Sequence, residues 1–371
     1  MSTAAGKSRI RLVAVGLVCA LLPAATTRGQ DAKPGPPPKP DEAVEKRVEE
    51  LGGAIDRLVR EGKIAEAAGL AEERLDQLSR LRGDAHWEVG DARRQHDTLR
   101  QIARRDRGIQ DRYTGAWLSR DRFVELANSA RYAEAETSLR EAMEALHNVL
   151  GEGHPDTAPS YLDLGLVLEA LGKPAEAEAM FRRALAIRLE AHGERHPVTA
   201  SCYNNLGGIL YAQGKQAEAE AMHRRALAIF LKTLGEGDPN TGHSYNNLAA
   251  VLHEQGKPAE AEAMIRRALA IFLKTLGERH PDTVKSYHNL GAVLSDQGKP
   301  AEAEAMVRRA QAIMLEARGE GHPDTVMGFN NLGSVLTAQG KPAEAEAEYR
   351  RALAILHEAR GEGDLLLGSV S

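Results

Sequence analysis

A residue followed by proline returns at a fixed step of 42 residues: His154-Pro155, His196-Pro197, Asp238-Pro239, His280-Pro281 and His322-Pro323. The glycines Gly172, Gly214, Gly256, Gly298 and Gly340 keep the same step. A chain built on so short a period has no single centre to fold around. Each unit buries its apolar face against its neighbours, so the core runs along the array. Five such units occupy residues 154–363, which is 210 of the 371 residues.

Each unit reads as two helices. In the third unit Asp238 can cap the first helix, and Pro239 takes the first helical position, where a missing N–H costs nothing. Tyr245, Leu248, Ala249 and Leu252 follow at helical spacing as an apolar stripe. Gly256 then ends this helix, because glycine enters the left-handed conformation cheaply. Pro258 opens the second helix with Glu260 and Glu262 at its positive end, and Ala261, Ile265, Ala268, Leu269 and Phe272 form its buried face. Gly277 marks the stop. With aromatic residues at 4% and Ala, Glu, Leu and Arg abundant, nothing in the composition competes with an all-α reading.

The segment from Tyr245 to Phe272, YNNLAAVLHEQGKPAEAEAMIRRALAIF, resembles a tetratricopeptide repeat. The 42-residue step and the LGERHPDT-type connector are similar to the repeats of kinesin light chain. That family usually steps by about 34 residues, and here the surplus lengthens the second helix and the connector. Pro174, Pro258, Pro300 and Pro342 stand where the family often has an aromatic at the start of the second helix, which trims a packing contact. The resemblance implies an all-α tetratricopeptide-type solenoid of helical hairpins wound as a right-handed superhelix. It also implies that the first helices line a concave groove, in which an asparagine reaches ligand.

Upstream the pattern decays without vanishing. The run from Glu61 to Ala67 and that from Arg131 to Glu136 echo the turn, and the step from His86 to His154 is 68 residues. Extra or longer helix is expected there, so residues 42–153 read as divergent repeats covering the N-terminal edge. Residues 1–30 read as a secretory signal: Lys7, Arg9 and Arg11 precede an apolar run, Leu12 to Ala25, too short to span a bilayer comfortably. An uncleaved signal anchor is the alternative, and the sole expected route to a membrane. Residues 31–41 form a Pro-rich linker that excludes helix and sheet over Lys33 to Pro40. Loss of the signal would remove Cys19 and leave Cys202 alone, with no intramolecular disulfide. Beyond the five units, residues 364–371 form a C-terminal tail containing Leu365, Leu366 and Leu367.

No set of catalytic groups stands out, and no cofactor is called for. There is no G-x-S-x-G and no phosphate loop, and His253-Glu254 lacks the second histidine of a zinc-protease helix. The histidines before proline lie at one corner of successive units, where capping explains them better than a metal shell. His192 and His196 share a turn and need not face one another. The doubled arginines, Arg182-Arg183 through Arg350-Arg351, each follow a glutamate by four residues, the geometry of exposed helix pairs. With a net charge of -5 and no basic stripe interleaved with aromatics, a nucleic-acid partner is not expected.

One row does invite a ligand. Asn205, Asn247, Asn289 and Asn331 recur at one position of the first helix, flanked by Asn204, Asn246, His288 and Asn330. A carboxamide donates and accepts together, so it can pair with a peptide backbone whatever its sequence. The alternative is that these amides bond helix to helix. Lys285 joins the expected groove as one of several variable positions, with His243, Met327, Tyr211, His253, Ser295 and Thr337. They carry no single-sign patch, so a carboxylate clamp is not supported. Asp163 replaces the amide in the first regular unit.

The expected function is an extracytoplasmic scaffold, of the periplasm, cell envelope or secreted fraction, that holds an extended peptide or protein segment and is not an enzyme. The alternatives are a self-assembling module of the envelope, pairing through the C-terminal edge, and a non-catalytic subunit of an enzyme complex.

Overall fold

The computed structural model describes residues 40–322 and 325–368. The segment expected to be an export signal, the linker up to residue 39 and the last three residues of the tail lie outside the described residues. Fifteen α-helices and no strand are found among those described: α1 (Pro40–Arg60), α2 (Ile64–Arg82), α3 (Trp87–Ala103), α4 (Arg107–Asn128), α5 (Tyr132–Leu150), α6 (Ala158–Ala170), α7 (Pro174–His192), α8 (Pro197–Ala212), α9 (Gln216–Thr233), α10 (Pro239–Glu254), α11 (Pro258–Thr275), α12 (Pro281–Asp296), α13 (Pro300–Arg318), α14 (Val326–Ala338) and α15 (Pro342–Gly368). A 3₁₀ turn, Pro155–Thr157, leads into α6. None of these helices is long and apolar enough to cross a membrane. Residues up to Cys202 and residues from Tyr203 onward form two compact units, the boundary falling inside α8.

In the unit from Tyr203 the hairpin of α10 and α11 shows how the sequence makes the fold. Asp238 Oδ1 accepts from the Asn240 N–H at 2.8 Å, capping α10. Gly256 turns the chain at φ +75°, and the Lys257 N–H closes back on the Leu252 carbonyl at 2.9 Å. Tyr245, Leu248, Ala249 and Leu252 from α10 then meet Ala261, Ile265, Ala268 and Phe272 from α11, all buried. The core continues into α12, α13 and α14 through Leu290, Val307 and Leu332, so each hairpin is closed by the next.

The histidines before proline are caps: Nδ1 of His154, His196 and His280 accepts from the N–H two residues on, at 3.2 to 3.3 Å. The connectors hold a further device. Thr199, Thr241 and Thr283 are fully buried, and their hydroxyls donate to the carbonyls of Gly193, Gly235 and Gly277 at 2.8 to 2.9 Å. Helices approach closely at glycine: a Cβ on Gly207 would stand 2.6 Å from the His223 ring, and one on Gly165 2.5 Å from Phe181.

The glutamate–arginine pairs form as their spacing requires, for example Glu262 with Arg266 at 2.7 Å. They also reach across repeats, since Lys299 donates to the same Glu262 at 2.9 Å and Lys341 to Glu304 at 3.2 Å. Hydrogen bonds from Lys299 and then Arg266 hold the Glu262 carboxyl down at about 2. The motif is therefore a clasp between consecutive hairpins as well as a solvated face.

In the unit ending at Cys202, α1 pairs with α2, α4 with α5, and α6 with α7. The 68-residue interval holds one additional helix, α3, packed on α2. The α4–α5 turn places Ala130 at φ +55°, where the regular repeats carry glycine. Cys202 is buried, and burial pushes its thiol up to about 12. At the other end of the chain α15 runs through Gly361 to Gly368, so that glycine does not stop it.

Candidate functional site

The asparagine positions lie on α8, α10, α12 and α14, the first helices of successive hairpins. They separate into two rows with different duties. In the row that starts at Asn204, the Asn204 Nδ2 donates to Ser244 Oγ at 2.7 Å, and the Asn246 Nδ2 donates to Ser286 Oγ at 2.7 Å. Ser286 passes its own hydroxyl proton to the Asp282 carbonyl at 2.8 Å. Each of these amides therefore ties one first helix to the next. His288 continues the row as a buried neutral imidazole: its Nδ1 accepts from Asn331 Nδ2 at 3.2 Å, and burial presses it down to about 4. Asn330, at the last position of this row, is exposed.

The second row is Asn205, Asn247 and Asn289. Asn205 and Asn247 are half-buried and Asn289 is buried, and among the described residues none of their amides meets a side-chain or backbone partner outside its helix. Asn331 belongs to this row by register but is committed to His288. In the other compact unit the equivalent Asp163 is buried and accepts from Arg120 Nε at 2.7 Å. Burial raises its carboxyl while the guanidinium opposes that rise.

Polar groups flank the free amides. His243 packs its ring on Phe272 with centroids 4.9 Å apart, and its Nε2 lies 3.6 Å from Asp282 Oδ2. Asp282 also stands 3.4 Å from His280 Nδ1. Lys285, one turn further along α12, is half-buried, and its ammonium is pushed down by burial against the pull of Asp282. At the far ends of these helices His253 Nε2 meets Asp296 Oδ2 at 2.8 Å, which takes His253 out of the set free for a ligand. The face thus offers uncommitted carboxamides spaced one repeat apart, with one cation beside them. A carboxamide of this kind can both donate to and accept from a backbone amide. Among the described residues no group of three or more His, Cys, Asp or Glu is placed to hold a metal ion.

Sequence reasoning placed Asn204 and Asn246 in the groove with their neighbours. The 40-residue offset from each to a serine of the next unit, Ser244 and Ser286, was the available signal for their role. It missed that His192 and His196 face each other across 4.7 Å, because both turn toward Asp91 of α3, at 3.3 and 3.4 Å. Burial acts to raise the Asp91 carboxyl, yet His192, His196 and Arg94 together hold it far below the usual carboxylate range.

Comparison with known proteins fixes the class. Family profiles described as tetratricopeptide repeat match residues 126–190, 199–240, 240–316 and 287–358. The chain belongs to the tetratricopeptide repeat family, with kinesin-light-chain-like repeats. Among solved structures it is similar to BtubC (BKLC) from P. vanneervenii, at 26% identity and a TM-score of 0.50, over 62% of this chain and 91% of that one. A protein of Podosopora anserina described as a kinesin light chain with nearly identical TPR-like repeats aligns at 25% identity and a TM-score of 0.49, over 56% of this chain and 98% of that one. A Rap protein complexed with competence and sporulation factor shares the fold, at 15% identity and a TM-score of 0.51, over 86% and 99%. No curated protein matches the sequence.

Proposed function

We propose that this chain is a protein–protein interaction scaffold that holds an extended peptide or protein segment on the first-helix face of the unit beyond Tyr203. The observation that carries this reading is the row Asn205, Asn247 and Asn289, amides left without partners while the adjacent row is spent on helix-to-helix bonds. None of their amide atoms is among the buried unpartnered ones, so water can meet them in the free chain and a peptide backbone can take its place. Lys285 beside them suits an acidic or carbonyl group of the same segment. The fold supports a non-catalytic role, since tetratricopeptide arrays act as scaffolds.

The test is panning of a randomised peptide library against the full chain, followed by affinity measurement on wild type and on Asn205→Ala/Asn247→Ala/Asn289→Ala. At about 0.5 to 1.5 kcal/mol per hydrogen bond, the triple variant loses at least about tenfold in affinity with its melting temperature intact. Retained affinity would refute the row as the binding element.

A second reading, self-association through the C-terminal edge, is favoured by Tyr349, Leu353 and Leu356. They lie on one face of α15 and are exposed, 56% in the case of Leu353. The basic start and short apolar run at residues 1–30 support export across a membrane, and fractionation that finds only full-length cytoplasmic protein would overturn that part.

A further inference from the structure

The additional helix α3 ends in a concentration of positive charge that the repeat pattern does not require. Residues 93–112 hold seven arginines against three aspartates and no glutamate, in a chain whose net charge is -5. All three aspartates are engaged. Asp97 lies 3.1 Å from His96 Nδ1, Asp106 caps α4 by accepting from the Ile109 N–H at 3.0 Å, and Asp111 pairs with Arg107 at 2.9 Å. Arg93 and Arg94 are likewise matched, by Asp84 and Asp91. What remains is Arg100, Arg104, Arg105 and Arg112, exposed side chains that meet no carboxylate among the described residues.

Arg100, Arg104 and Arg105, with Asp97 and Gln101, line an open concavity of about 540 Å³. Arg100 and Arg104 stand one helical turn apart on the same side of α3. The helix that carries them is held in place at several points along its length. Trp87 meets His196 edge to face at 5.3 Å, Asp91 meets His192 and His196, and Thr98 Oγ1 lies 3.5 Å from His154 Nε2. The planar fork of a guanidinium is itself pre-organised and matches a carboxylate in two-point contact.

We propose that the arginine-lined concavity at the C-terminal end of α3 is a docking site for an acidic protein segment, separate from the asparagine face. Charge complementarity selects the occupant: glutamate or aspartate side chains at helical or extended spacing can each engage one guanidinium. Outside residues 93–112 the charge balance is net acidic, so the summed field of the rest of the chain does not favour such a segment.

The test uses a fluorescein-labelled deca-glutamate peptide titrated against the full chain, followed by anisotropy at about 50 mM and about 300 mM salt. Comparison proteins are Arg100→Gln/Arg104→Gln/Arg105→Gln and, with the same change in net charge, Arg182→Gln/Arg224→Gln/Arg308→Gln. Circular dichroism verifies that both variants are folded. The wild type is expected to bind, more weakly at high salt, and the α3 variant to lose at least about tenfold in affinity while the control stays within about twofold. Absence of binding to the wild type, equal loss in both variants, or tighter binding of a single-stranded oligonucleotide or of phosphatidylserine vesicles than of the peptide would each overturn the proposal. Because Asn205, Asn247 and Asn289 are untouched in the α3 variant, failure here leaves the asparagine face to be judged by its own experiment.

Discussion

His223 Nδ1 lies 3.1 Å from Asn204 Oδ1, and one repeat later Ile265 stands at the position of His223 and leaves Asn246 Oδ1 buried without a hydrogen-bond partner. The two amides make the same donation to a serine of the next helix but differ in what their carbonyl oxygens receive. Asn204→Ala therefore removes two bonds and strands the His223 N–H, at an expected cost of about 2 kcal/mol, whereas Asn246→Ala removes one and is expected to cost about 1 kcal/mol or less. Asn205→Ala and Asn247→Ala, with no partner to lose, should stay within about 0.5 kcal/mol of wild type. Urea melts of the four variants check the order, and equal losses from both rows would contradict the division of labour.

Acid should weaken the fold in two stages. Burial presses His223 and His288 down to about 4 from an ordinary 6.5. Between those values the unfolded chain holds more protons than the folded one, so stability falls as pH drops from about 6.5 to 4, by on the order of 3 kcal/mol per histidine. Glu262 and Glu304 sit at about 2 against an ordinary 4.5, so their contribution exists above 4.5 and is lost toward pH 2. That second loss is smaller, because these ion pairs are partly screened by solvent. Unfolding midpoints measured from pH 8 to 2 on wild type and on His223→Phe/His288→Asn separate the stages. The variant is expected to lose most of the slope above pH 4, and an unchanged slope would show that the histidines do not carry it.

Adjacent glycines in α8 should respond oppositely to the same substitution. A Cβ on Gly207 would press into the buried His223 ring, while one on Gly208 meets nothing within 4 Å. Gly207→Ala is expected to destabilise by about 1 to 3 kcal/mol through overpacking. Gly208→Ala should be neutral or stabilise by up to about 1 kcal/mol through helix propensity. Thermal melts of the pair decide it.

Ala130 occupies a turn at φ +55° that every regular repeat gives to glycine, as at Gly172 with φ +71°. Its Cβ costs about 1 to 2 kcal/mol in that conformation, against the larger entropy glycine loses on folding. Ala130→Gly is expected to gain about 0.5 to 1 kcal/mol. A lower melting temperature for this variant would show that the strain is relieved by other means.

The repeat period, the positions of the turns and the buried stripes were all legible in the sequence, because each follows from residues within one unit. Proline at a first position, a capping Asp238 or His280 and a glycine that can reverse the chain act over a few residues, and the same signals recur five times. The Glu262–Arg266 spacing announced its ion pair for the same reason. What the sequence left open was settled by contacts between units. Asn204 and Asn205 are neighbours of one residue type, and only the stacking of α8 on α10 sends the first to Ser244 and leaves the second free. The facing of His192 and His196 depends on Asp91, a hundred residues earlier, and the extra helix that brings it there interrupts the period that made the rest readable. Local patterning selects elements and their order. Which of two identical side chains is spent on the fold depends on the neighbouring repeat's geometry, and this is a property of the tertiary structure alone.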